Sequence, residues 1–149
     1  MPDWKDLLPT YFYAEVRRQF EERLTVLGYS SQYHDNGVVQ FEKHATKLEI
    51  SCVEGQLPTH ELGINLALRD DREGEWRYLP WWFLAREKCP TFAPLTFDSV
   101  EELRSALARI DSVTIERLLN EPTALLHAVV RFETQSSTVH VAASRRHLP

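Results

Sequence analysis

The stretch that decides the fold is residues 38–69, VVQFEKHATKLEISCVEGQLPTHELGINLALR, where apolar and polar residues alternate. Three runs within it carry an apolar residue at every second position: Val39 and Phe41, then Leu48, Ile50 and Cys52, then Leu62, Ile64, Leu66 and Leu68. A period of two predicts strands that bury one face and leave the other in water. Turn-forming residues at 35–37, 44–46 and 54–58 bound the runs, so we predict an antiparallel meander.

Two flanking segments extend this sheet. Residues 29–34 fit a first strand, and residues 75–79 fit a short further strand after the polar turn at residues 70–74. The sequence therefore predicts four or five strands.

A helix is predicted before the sheet, over residues 11–27. Phe12, Val16, Phe20 and Leu24 recur every four positions, which places them on one helical face. Gly28 follows at once and is a natural helix stop.

Further helices are predicted after the sheet. A proline opens a short apolar helix at residues 80–85, and residues 99–110 and 115–119 show apolar residues at helical spacing. Residues 123–132 fit either a helix or a strand, because alanine and leucine favour the first and a Val-Val pair the second.

The fold class that follows is α+β, because a sheet with one apolar face needs a cover and the amphipathic helices supply it. We predict two layers, an antiparallel meander of four to five strands covered on one face by helices. Residues 1–134 are predicted to form a single domain, and residues 135–149 a flexible C-terminal tail. Six residues are expected to be buried together between the layers: Phe20, Leu24, Leu48, Ile50, Ile64 and Leu66.

The composition is that of a mildly acidic globular protein. The 149 residues include 17 basic and 22 acidic side chains, for a formal net charge of −5. The basic residues are scattered and form no stripe, which argues against a nucleic-acid partner. No apolar run reaches the roughly 18 to 20 residues of a membrane helix, and the first residues lack the layout of a secretory signal. We therefore expect neither membrane insertion nor secretion.

The cysteines and histidines give no sign of a metal or cofactor. Cys52 and Cys89 lie far apart in the chain, which favours two reduced thiols and a cytoplasmic location. The six histidines include no His-x-x-x-His pair, and no Cys-x-x-Cys motif is present. We predict no bound metal and no cofactor.

Catalytic combinations can be drawn from the sequence, but no motif supports them. His60 and Glu61 with Glu49 could form an acid–base group, and Cys89 with a histidine could form a nucleophile pair. No glycine-rich phosphate loop or nucleophile elbow accompanies them. The sequence favours a protein that is not an enzyme, and a small enzyme of unknown reaction stays as an alternative.

The candidate partner-binding residues centre on three tryptophans, Trp76, Trp81 and Trp82. Neighbours on a helix point about 100° apart, so a short helix cannot bury both Trp81 and Trp82 against one sheet. An exposed tryptophan is typical of interfaces, whereas core packing is the alternative for this segment. Four acidic residues could add charge selection for a basic partner: Asp70, Asp71, Glu42 and Glu49.

The order of these elements resembles that of small uncharacterised bacterial proteins. The resemblance begins at residues 20–29, FEERLTVLGY, which look like the opening helix-to-strand junction of those proteins, and it continues through the strands predicted in residues 38–69. It includes the segment at residues 78–85 and ends with the leucine-rich helix pair at residues 99–119 and the Leu-Leu-Asn turn at residues 118–120. Some such families are immunity proteins that neutralise polymorphic toxins, and no catalytic residue comes with the resemblance.

These observations lead to one functional expectation and two alternatives. We expect a small cytosolic bacterial protein that binds another protein. It would be immunity-like and neutralise a toxin by stoichiometric binding, and a basic toxin domain is the candidate partner. A small enzyme and a homodimeric structural or adaptor protein are the alternatives, and both a monomer and a homodimer remain open.

Overall fold

The computed structural model describes the backbone of residues 8–54, 60–70 and 74–146, and the side chains of residues 10–52, 60–70 and 74–136. Within these ranges the chain forms five helices and a six-stranded sheet. The predicted α+β class and its strand meander are confirmed.

The sheet follows the order of the sequence. Strands β1 to β5 lie side by side in chain order and every pair is antiparallel, while β6 pairs with β4 beyond the end of β5. Strand β6 was not predicted, because two residues are too short to show a period. The strands are β1 (Ser30–His34), β2 (Val38–Lys43), β3 (Thr46–Glu54), β4 (His60–Leu68), β5 (Arg77–Pro80) and β6 (Thr96–Phe97).

The first helix, α1, is continuous over residues 8–26. It consists of Leu8–Val16, a π-helical turn at Arg17–Glu21, and Glu22–Val26. It begins before the predicted start at residue 11. Gly28 follows it with a φ of +93°, a left-handed conformation that glycine adopts without strain.

Four helices follow the meander: α2 (Trp81–Lys88), α3 (Val100–Ala108), α4 (Ser112–Asn120) and α5 (Pro122–Arg146). Ser99 caps α3 by accepting a hydrogen bond from Glu102 N at 3.1 Å, and Asp111 caps α4 by accepting one from Thr114 N at 3.1 Å. Residues 123–132, for which helix and strand were both open, are helical. The backbone of α5 continues through residues 135–146, and the flexibility of residues 135–149 stays a prediction.

The core lies between the sheet and the helices. Paired residues of neighbouring antiparallel strands share a face, and one such row is Phe41, Leu48, Leu66 and Leu79, all fully buried. The six residues predicted to be buried together all belong to this one cluster, so the predicted register is confirmed.

An ion pair ties α1 to α3. Glu15 is only 6% exposed, and its Oε1 accepts hydrogen bonds from Arg104 Nη2 at 2.9 Å and Arg104 Nε at 3.2 Å. The adjoining π-helical turn contacts β1, because Glu21 accepts a hydrogen bond from Ser31 Oγ at 3.0 Å and the Arg17 guanidinium lies over the Tyr33 ring. The first helix therefore contacts α3 in the helical layer and β1 in the sheet.

Among the helices within residues 8–54, 60–70 and 74–146, none has the length and apolar character needed to cross a bilayer.

Candidate partner-binding surface

An aromatic stripe lies along the edge strand β5 on the outer face of the sheet and continues into the first turn of α2. We define the stripe as Trp76, Tyr78, Pro80 and Trp82. Tyr78 and Pro80 pair with Ala67 and Asn65 of β4, which places them on the face opposite the core residue Leu79. Two members of the stripe are large exposed side chains, since Tyr78 is 39% exposed and Trp82 is 45% exposed.

Cationic side chains cover one end of the stripe. Lys47 Nζ lies 4.5 Å from the Trp76 ring centroid and 5.2 Å from that of Tyr78, and Arg69 Cζ lies 4.3 Å from the centroid of Trp76. These contacts are cation–π interactions. They explain why Lys47, predicted on a solvated face, is only 6% exposed. The prediction of a fully solvated outer face is wrong at this position, because the rings of Trp76 and Tyr78 cover the Lys47 side chain.

The acidic candidates on this face are already paired. Glu49 lies 3.5 Å from Lys47 Nζ, and Glu42 lies 3.4 Å from Arg69 Nη2. Glu49 also accepts a hydrogen bond from the side-chain amide of Gln40. The four charges cancel locally, so Glu42 and Glu49 do not form the acidic patch that the sequence suggested.

The other end of the stripe is an exposed indole held in place on two sides. The Trp82 ring meets the ring of Phe132 edge-on at a centroid distance of 5.9 Å, and Arg86 Cζ lies 5.1 Å from the Trp82 centroid. Trp81 is buried, with 7% of its surface exposed. The geometric expectation that one of this pair is exposed is therefore confirmed.

A cavity of about 360 Å³ opens beside Trp82. It lies where strand pairing along one side of β4 is interrupted. Strand β5 pairs with β4 from Asn65 to Leu68, and β6 pairs with it at His60 and Glu61. Within the described strands, residues 62–64 thus have no strand partner on this side, and Leu62 N donates instead to Leu95 O at 2.9 Å. The cavity fills the gap between the two short strands.

The cavity is lined mainly by apolar and aromatic side chains. Polar side chains come from Glu61, Asn65 and Arg86 alone among its described lining residues. Its apolar wall is formed by Leu62, Ile64, Pro80, Trp81, Trp82, Phe92, Pro94 and Leu95. Such a lining suits an apolar group of a partner, with a few polar groups to orient it.

The acid–base combination considered as an alternative, Glu49 with His60 and Glu61, is not brought together. Glu49 pairs with Asn65, which is four residues from Glu61 along β4, a separation of roughly 13 Å at about 3.3 Å per residue. His60 stacks on Phe97 with a centroid distance of 5.6 Å, and Cys89 Sγ lies 3.5 Å from Thr91 Oγ1. The acid–base group suggested for His60, Glu61 and Glu49 therefore has no geometric support.

Metal ligands do not converge in the part of the chain that the structure describes, since no three His, Cys, Asp or Glu side chains there could share an ion. Cys52 is half-buried and Cys89 is exposed, and no disulfide joins them. The absence of a metal or cofactor and the reduced state of both thiols stay predictions, which elemental analysis and thiol titration would test.

The candidate residues from the sequence fall into three groups. Trp76, Trp81 and Trp82 lie on or beside the stripe, and Glu42 and Glu49 lie on the same sheet face in ion pairs. Asp70 is exposed directly after Arg69, whereas Asp71 lies outside the described residues.

The sequence interpretation missed Arg86, Phe92 and Pro94. Arg86 is four residues after Trp82 on one helix, so helical spacing could have placed it over the ring. Phe92 and Pro94 belong to an irregular loop, and no periodic signal could have found them.

Comparisons with protein-family models, with curated proteins and with solved structures found no match to this chain. The resemblance to immunity-type proteins therefore stays a prediction, and the site is interpreted from its own residues.

Proposed function

We propose that the protein is a non-catalytic binding protein that forms a one-to-one complex with another protein through the aromatic stripe and the adjoining cavity. One observation carries this proposal. Trp82 is 45% exposed, contacts Phe132 and Arg86, and lines a largely apolar cavity of about 360 Å³.

The chemistry of the stripe supports partner binding. Tryptophan, tyrosine and arginine are the residues most enriched among those that dominate binding energy at interfaces. The rings of the stripe are held by neighbours, Trp82 by Phe132 and Trp76 by Lys47 and Arg69, so little side-chain entropy is lost when a partner binds. The cavity would accept one apolar anchor side chain of the partner.

An immunity-like protein that neutralises a basic toxin domain is the narrower form of this proposal. Its support is the net charge of −5, which would steer a basic partner toward the protein. At the stripe itself the carboxylates of Glu42 and Glu49 face cations, so steering would come from the whole molecule and not from this face. The proposal places the protein in the cytosol, where the exposed thiol of Cys89 stays reduced.

Site-specific photo-crosslinking tests this function. A photoreactive phenylalanine is introduced at Trp82 and, as a matched control, at Val26, an exposed apolar residue on α1 that is 80% exposed. In cells of the source organism, the variant at position 82 should crosslink to one protein partner, and the variant at position 26 should not.

Two outcomes would count against the proposal. Crosslinking of the same proteins from positions 82 and 26 would mean that contact with the stripe is unspecific. A crosslink from position 82 to a second copy of this chain would favour the homodimeric alternative, and sedimentation would then give a dimer that Trp82→Ala dissociates.

A further inference from the structure

A second cavity, separate from the stripe, lies within the helical layer. It has a volume of about 430 Å³ and is lined by residues of α2, α4 and α5 and by Phe92 and Arg109 from loops. Its floor is apolar and includes Leu84, Leu118, Ala124 and Ala128. We call it the helical cavity. Its volume is within the range of roughly 300 to 1,000 Å³ that small-molecule sites occupy.

The rim of the helical cavity is basic although the protein is acidic. It carries four cationic side chains and two carboxylates, in a chain whose net charge is −5. The cations are Lys88, Arg109, Arg117 and Arg131, and the carboxylates are Glu87 and Asp111. The local excess of positive charge beside an apolar floor thus contrasts with the net negative charge of the whole protein.

Both carboxylates already pair with cations of the same rim. Glu87 accepts two hydrogen bonds from Arg131, each of 3.0 Å. Asp111 caps α4 through Thr114 and lies 3.5 Å from Lys88 Nζ. In the described part of the chain, Arg109 and Arg117 form no salt bridge, so their guanidinium groups remain available at the rim.

We infer that the helical cavity binds a small anionic molecule whose oxyanion head group contacts Arg109 and Arg117 and whose apolar body lies on the cavity floor. A guanidinium group presents paired N–H donors that match the oxygens of a carboxylate or a phosphate. The apolar floor supplies the remaining affinity through burial of hydrocarbon. The two cavities share Trp81 and Phe92, but neither Arg109 nor Arg117 lines the cavity of the proposed partner-binding surface, so substitutions at these arginines test this site separately.

The test uses two probes with the same hydrocarbon body, octanoate and octyl phosphate, and measures binding by calorimetry and by tryptophan fluorescence. Trp81 lines the helical cavity, so its emission should change on binding. At least one probe should bind saturably to one site, and the tighter of the two identifies the head group as carboxylate or phosphate. Octanol, which has no charge, should bind at least tenfold more weakly.

Substitutions locate the binding site. Arg109→Gln and Arg117→Gln should each weaken binding of the tighter probe by at least about tenfold, since each substitution removes a charged hydrogen bond. Arg18→Gln is the matched control, because Arg18 is an exposed arginine of α1 outside the cavity, and it should bind as the unaltered protein does. Ala124→Phe should fill the cavity and abolish binding of the probe.

The inference is overturned if neither probe binds saturably, if octanol binds as tightly as the charged probes, or if the two arginine variants bind as the Arg18→Gln protein does. Thermal unfolding of each variant shows whether it folds. If Ala124→Phe does not fold, the arginine variants decide the question, because their side chains lie at exposed positions.

Discussion

The Arg86 guanidinium lies over the face of Trp82, with its Cζ atom 5.1 Å from the ring centroid. The two residues are four positions apart on α2, so the helix itself sets their spacing. The ring of Phe132 also contacts the indole, and Trp82 remains 45% exposed. An exposed aromatic group that is held in this way is pre-organised for binding.

The adjacent tryptophans should differ in their effect on stability. Trp81→Ala should lower the free energy of unfolding by about 3 to 5 kcal/mol, because it opens a space in the core. Trp82→Ala removes a half-exposed ring and should cost about 1 kcal/mol. Urea denaturation of both variants measures the difference, and equal losses would mean that Trp82 is a core residue.

The register of the sheet can be tested through its two central strands. Ile50→Ala and Leu66→Ala should each lower the free energy of unfolding by roughly 2 to 5 kcal/mol, since both side chains are fully buried. Val26→Ala, at an exposed position, should change it by less than about 0.5 kcal/mol. Losses at Ile50 and Leu66 no larger than at Val26 would show that the buried and exposed faces have been interchanged.

The ion pair between α1 and α3 should be sensitive to loss of its cation. Arg104→Ala leaves the buried carboxylate of Glu15 without its principal partner, so the urea midpoint should fall. Arg18→Ala should lower it less, because Arg18 is exposed and lies 4.0 Å from Glu15. Adding Glu15→Gln to Arg104→Ala should recover part of the loss, since the uncompensated charge is then removed. Equal midpoints for Arg104→Ala and Arg18→Ala would contradict this account.

Asp111 should make stability depend on acidic pH. Its pKa is lowered, first by the hydrogen bond from the Thr114 hydroxyl, then by the Thr114 backbone N–H and by Lys88. Because the folded state binds this proton more weakly than the unfolded state, the stabilisation is complete above the unfolded pKa of about 3.9 and is lost as pH falls through the lower folded value.

The matched variant for this effect is Asp111→Asn, which keeps a capping side chain but removes the charge. It should be less stable than the unaltered protein by about 0.5 to 1 kcal/mol at pH 6, a modest value because Asp111 is partly exposed. The difference should shrink as pH falls below the unfolded pKa of about 3.9. A difference in thermal stability that stays constant between pH 6 and pH 2.5 would refute the assignment.

The sequence predicted the fold where a regular period persists. Strands β2, β3 and β4 alternate over enough residues to show which side chains are buried, and the spacing of Phe12, Val16, Phe20 and Leu24 indicated α1. Strand β6 was missed because a two-residue strand has no period. Residues 123–132 were left open because alanine, leucine and valine are compatible with a helix or a strand.

The candidate site was predicted in part. Geometry on a helix showed that Trp81 and Trp82 could not both be buried against one sheet, and this needs no tertiary information. The burial of Lys47 beneath Trp76 and Tyr78 depends on pairing between strands that are distant in sequence. Both cavities likewise combine elements that meet only in the folded chain, so no sequence pattern could reveal them.

The central claim is that Trp82 is the principal contact of a partner-binding surface, and the affinity of the crosslinked partner for the purified protein tests it most directly. Calorimetry should give a one-to-one complex that Trp82→Ala weakens by more than about 1 kcal/mol, which is roughly fivefold in Kd. Val26→Ala should leave the affinity unchanged. If Trp82→Ala remains folded and binds the partner as tightly as Val26→Ala does, the stripe is not the recognition surface.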